Sequence, residues 1–126
     1  MNHDFLGVII LESLNEQHVM DDVIVLQESD VQAPADDPYP VWSRRLVRVP
    51  AHTIETFAAK LASVMKEDFY NHFVDEQRLV VVFIGKYFIL DKRDKSTWTE
   101  MIQYGETVSV GPRWTLNIPV DEDKLL

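Results

Sequence analysis

The chain predicts an α+β domain, a mainly antiparallel sheet of about six strands with helices packed on one face. Three observations lead there. Short runs rich in β-branched and aromatic residues recur at strand length, at 5–11, 23–26, 79–84 and 87–90. Only one long segment, 51–66, carries a strong helical period. Two of the apolar runs are joined by nothing more than Gly85-Lys86, short enough to make them a hairpin.

Taken in order, 5–11 is a near-continuous apolar run that reads as a buried strand, with Gly7 marking a bulge or a close packing contact. Ser13-Leu14-Asn15-Glu16 has capping-box spacing and predicts a short helix over 14–20. A second strand follows at 23–26. The prolines at 34, 38 and 40 remove amide donors and hold their predecessors extended, so 30–40 is expected as a long loop. The strand 42–49 would place Trp42, Arg44, Leu46 and Arg48 on one face and Ser43, Arg45, Val47 and Val49 on the other.

In 51–66, Ile54, Phe57, Ala58, Leu61, Val64 and Met65 recur at three- and four-residue steps as the buried face of a helix. The segment 67–77 mixes Phe69, Tyr70 and Phe73 with polar residues and reads as a connection pinned by its phenylalanines, with His72 exposed. The run 79–84 has no polar alternate and should be covered on both faces. In the joint that follows, glycine in first position suits a turn that opens on a positive φ. Thr97-Trp98-Thr99-Glu100 is a second capping box, opening a helix that Gly105 would end in a left-handed conformation. Trp114, Leu116 and Ile118 alternate with polar residues as a last strand. The expected whole is one domain over 1–120 with an acidic tail at 121–126, broadly a variant of the ferredoxin-type sandwich.

Composition narrows the function more by exclusion than by indication. With 126 residues the chain buries a core without staples, and with no cysteine it holds no zinc-thiolate site, disulfide or thiol nucleophile. A cytoplasmic location is therefore expected, and residues 1–4 lack the basic start of a signal peptide. A formal charge of -9 counts against nucleic acid and anionic membrane as partners. No serine sits in a Gly-x-Ser-x-Gly setting, and the glycines form no phosphate-cradling loop, so no cofactor is implied.

Phe69-Tyr70-Asn71-His72-Phe73, the hairpin with Gly85-Lys86, the Trp98 helix, Tyr104-Gly105 and the opening run 6–14 carry a resemblance over nearly the whole chain. On these residues the sequence resembles a small group of uncharacterised prokaryotic proteins of about this length. The resemblance implies no activity.

Two clusters are candidate sites. Arg44, Arg45 and Arg48 concentrate a quarter of all Lys and Arg in one strand of an acidic chain. Trp42, Arg44 and Arg48 on a common face would hold a carboxylate or phosphate against an aromatic wall. The competing reading is an edge strand whose arginines pair across to Glu28 and Asp30. Asp68, His72, Asp75 and Glu76 form the densest group of acid, base or metal ligands, with Asp68 and His72 four apart as on a helical turn. Against a metal or catalytic site, His3, His18 and His52 are scattered, and a solvated helix-to-strand connection is the favoured reading of the group. The aromatics Trp42, Tyr87, Trp98, Tyr104 and Trp114 are candidates for pocket walls or core packing. The first functional expectation is a binding or assembly module, homodimeric through an exposed sheet face or edge strand. The second is a small enzyme or sensor that takes an anionic metabolite at Arg44 and Arg48 beside the 30–40 loop.

Overall fold

The computed structural model describes residues 4–126, so His3 lies outside the described residues. Its strands are β1 (Phe5–Ile10), β2 (Ile24–Gln32), β3 (Val41–Val49), β4 (Asn71–Val74), β5 (Arg78–Phe83) and β6 (Lys86–Asp91). The helices are α1 (Ile54–Ala62), α2 (Thr99–Thr107) and the four-residue α3 (Pro112–Thr115). The strands form one six-stranded sheet in the order β2-β3-β1-β4-β5-β6, and every neighbouring pair is antiparallel. The α+β class and the antiparallel sheet are as the sequence predicts. Because β1 lies antiparallel between β3 and β4, the path β3-α1-β4 is a split β-α-β unit, the one piece shared with the ferredoxin-type arrangement.

The helices do not share a face. Ile54, Phe57, Ala58 and Leu61 of α1 pack with Phe5, Ile9, Val47, Val49, Phe73, Val80 and Val82. The alternate residues Val8, Val74, Leu79, Val81 and Phe83 pack instead with Trp98, Met101, Val108 and Val110. Side chains alternate along a strand, so these two clusters lie on opposite sides of the sheet, and β5 is buried on both. Gly7 is a close-packing glycine: a Cβ there would collide with the Phe73 ring and the His72 carbonyl.

Several elements differ from the sequence reading, each for a local reason. Ser13 caps nothing; it is buried, donates to the Ile10 carbonyl and accepts from Asn71 Nδ2 at 2.9 Å, so 14–20 is replaced by 3-10 turns at Leu11–Ser13 and His18–Asp22. The polar residues 27–32 belong to β2, paired with β3, which shortens the loop to 33–40. Edge strands tolerate such polarity because one side faces water. Residues 71–74, expected within a connection, form the fully buried β4.

The hairpin turn is Ile84-Gly85, since Phe83 pairs with Lys86, and Gly85 takes the second central position with φ 81°. A positive φ there is the signature of a type II turn. Gly105 lies inside α2, packed so closely that a Cβ would stand 3.0 Å from the Val110 carbonyl. The helix ends instead on Ser109 at φ 68°, with Val110 N–H bonded to the Gly105 carbonyl at 2.8 Å and Ser109 N–H to Glu106 at 3.4 Å. That bond pair is a Schellman motif. Asp94, not Thr97, caps the approach to α2, accepting from Ser96 N–H at 3.0 Å. The expected last strand at 114–118 begins as α3, opened by Pro112, whose fixed φ suits the first helical position. Residues 121–126 hold a 3-10 turn at Glu122–Lys124, and Leu125 is 4% exposed within the α2-side core.

Candidate functional site

Helix α2 packs over β5 and β6, with Tyr104 against Phe83 and Phe88, and leaves the tip of β1 and β3 to something else. There the side chains of Val8, Ile10, Trp42, Arg44 and His72 line a cavity of about 770 Å³. Its position follows from register: Ile10 faces Arg44 on one side, and Val8 faces His72 on the other. The loop 33–40 walls one side with Pro34, Asp36, Asp37 and Pro38. Asp68, Phe69, Tyr70, Ser109, Trp114, Pro119 and Leu125 complete the enclosure. Trp42 and Trp114 meet edge to face at 5.9 Å between ring centroids, and the Arg113 guanidinium stacks 4.8 Å over Trp114.

Arg44 is the distinctive charge. It is half-buried, and Nη2 donates to Ser29 Oγ at 3.2 Å while Nε is buried without a partner. No carboxylate pairs with it among the described residues. The neighbouring Arg45 lies on the opposite face and takes both Glu28 and Asp30 at 3.5 Å, so the cross-strand pairing expected of this strand belongs to Arg45 alone. Arg78, Arg93 and Arg113 are likewise paired, with Asp75, Asp121 and Asp36. Arg48 does not join the cavity; it is exposed, opposite Leu6 and Ile24. Four residues of strand carry it about 13 Å from Arg44.

His72 is buried, not exposed, at 6% accessibility. Burial pushes its imidazole down to about 4, offset only in part by a hydrogen bond to the Pro119 backbone, so the ring is neutral near pH 7. Its Nε2 and the Trp42 Nε1 are buried without partners. Neither is open to a water-sized molecule, so a ligand reaches them only if the ring turns. Tyr70 stands in the same wall, and burial pushes its phenol up to about 12.

No family model matches the chain, and neither does any curated protein or solved structure. The site therefore rests on geometry alone. Both non-glycine residues with positive φ among those described, Asp68 at 76° and Ser109 at 68°, line the cavity, and Asp68 N–H bonds the Val108 carbonyl at 3.0 Å. Ser109 takes this conformation as the end of α2, and at Asp68 such backbone is of the kind that concentrates at functional sites.

The second cluster comes apart. Asp68 and His72 both line the cavity, but the chain between them runs into a strand rather than a helical turn. Asp75 and Glu76 follow the other end of β4. Asp75 is a turn cap: burial works to raise its pKa, but the amides of Arg78 and Gln77 and the Arg78 guanidinium outweigh that and hold it low. Among the described residues no group of three or more His, Asp or Glu is placed to hold a metal ion. Of the aromatics, Trp42 and Trp114 reach the cavity. Trp98 is core and donates to the Asp91 carbonyl at 2.8 Å, Tyr104 donates to Ile84, and Tyr87 to Glu55. The wall residues missed in the sequence, Val8, Ile10, Ser109 and Leu125, carry no chemical signature of their own.

Proposed function

We propose that the protein is a small-molecule binding module whose cavity takes an anionic metabolite, anchored by Arg44. The observation that carries this reading is a half-buried guanidinium, without a carboxylate partner among the described residues, in the aromatic wall of a cavity large enough for a metabolite. A buried charge without a counter-charge is costly, and a bound anion supplies the missing one. Binding or sensing is preferred to catalysis because no side chain in the wall forms a nucleophile–base pair and His72 makes no carboxylate contact. A thermal-shift panel of small anions tests the reading. Arg44→Ala should abolish the ligand-induced rise in Tm while Arg48→Ala leaves it intact; equal loss in both variants, or no response to any anion, would count against it.

A second reading, homodimerisation, is supported by the edge strand β2. Ile24, Val25 and Leu26 are 54%, 42% and 43% exposed on a strand whose outer edge is unpaired. The two readings are compatible, since β2 also supplies Val31 and Gln32 to the cavity. Among the described residues no helix is long and apolar enough to cross a membrane. The absence of cysteine supports a cytoplasmic protein, and we place it with the small prokaryotic group that its sequence resembles.

A further inference from the structure

Resting on the anion-binding reading above, we infer that the occupant is a monocarboxylate with an aromatic or branched apolar body, and that the acidic rim of the cavity turns phosphorylated metabolites away. The lining contains two arginines against three aspartates, a formal net charge of -1 before anything binds. One of those arginines is already engaged: Arg113 is held by Asp36 at 3.3 Å. Arg44 alone is left to meet a ligand anion.

A single carboxylate matches one planar guanidinium through two parallel N–H···O bonds. A phosphate monoester, carrying about -1.5 to -2 at neutral pH, needs more positive charge than that. It would also face the Asp37 and Asp68 carboxylates, neither of them held by an arginine, with Asp68 exposed at the rim. The floor of Val8 and Ile10 and the rings of Trp42, Tyr70 and Trp114 suit an apolar body.

The test uses the full chain with 3-phenylpropionate, indole-3-propionate and phenyl phosphate, read by calorimetry at one ionic strength and neutral pH. At least one of the two carboxylates should bind, and phenyl phosphate about tenfold more weakly or not at all. Arg44→Gln should remove carboxylate binding. The rim variant Asp37→Asn/Asp68→Asn, which leaves the Asp36–Arg113 pair in place, should narrow the preference to within about threefold by admitting the phosphate. Phenyl phosphate binding as tightly as the carboxylates, or an unchanged preference in the rim variant, overturns the inference while leaving anion binding standing. If none of the three probes binds, the anion reading falls with it. Should Arg44→Gln fail to fold, Arg44→Lys retains the charge without the fork, and undiminished carboxylate affinity in that variant overturns the inference.

Discussion

At the scale of single residues, His72 couples the cavity to pH. Folded, its imidazole titrates at about 4, against 6.5 when unfolded, because burial disfavours the charged form. Between those values the unfolded chain binds more protons, so stability is fully present above 6.5 and falls with pH down to about 4. The loss amounts to on the order of 3 kcal/mol. Denaturant melts through that window should show a slope that His72→Phe flattens, and an unchanged slope would mean that another group is responsible. Its neighbour Phe73 is fully buried and stands edge-on to Phe57 at 5.7 Å. Phe73→Ala should cost about 3–5 kcal/mol. Gly7→Ala presses on that ring and on a backbone carbonyl that has no room to give. It should reach at least the top of the about 1–3 kcal/mol usual for overpacking, and urea unfolding of both variants measures the pair.

At the scale of elements, two turns make opposite predictions. Gly85 takes φ 81° at the β5–β6 turn, so Gly85→Ala should lose about 1–2 kcal/mol. Ser109 takes φ 68° at the α2 terminus, where most Schellman motifs use glycine, so Ser109→Gly should gain roughly 0.5–1 kcal/mol. Thermal melts report both signs, and a destabilising Ser109→Gly would show that its side chain contributes more than its backbone costs. The loop 33–40 is anchored by Tyr39, which packs on Phe69 at 5.8 Å and accepts from Lys66 Nζ at 3.0 Å, and by Ala33 N–H to the Pro40 carbonyl at 3.1 Å, whereas its tip at 34–38 meets the rest of the chain through the exposed Asp36–Arg113 pair. Elements tied this lightly are the ones that open first. The wall most able to admit a ligand is therefore the tip of this loop, not the sheet.

At the scale of the molecule, helices on both faces of the sheet leave Ile24, Val25 and Leu26 exposed at the β2 edge and a recess of about 770 Å³ at the tip of β1 and β3. Association through β2 would place Ile24, Val25 and Leu26 against a second copy, but Glu28 and Asp30 share a single Arg45, so the strand stays net negative and two copies of it repel. Dimerisation should accordingly strengthen as salt screens that repulsion. Light scattering behind a sizing column, repeated with Leu26→Lys, decides the matter. A monomer at high micromolar concentration in both low and high salt would end the dimer reading.

What the sequence determined by itself was the class of fold and the parts whose signals are local. The period of α1, the two-sided burial of β5 and the alternation of Trp42 and Arg44 along β3 each follow from spacing along a short stretch. Tertiary structure decided the rest. Residues 71–74 look polar enough for a connection, yet β1 and β5 pair with them on both sides, and that pairing buries His72. Ser13 has the spacing of a cap but was recruited by Asn71, 58 residues away. The cavity exists because α2 covers only the β5–β6 part of one sheet face, and the cavity wall gathers residues from Val8 to Leu125. No window of sequence contains that enclosure. It depends on strand order, and strand order is set by contacts between segments that are remote along the chain.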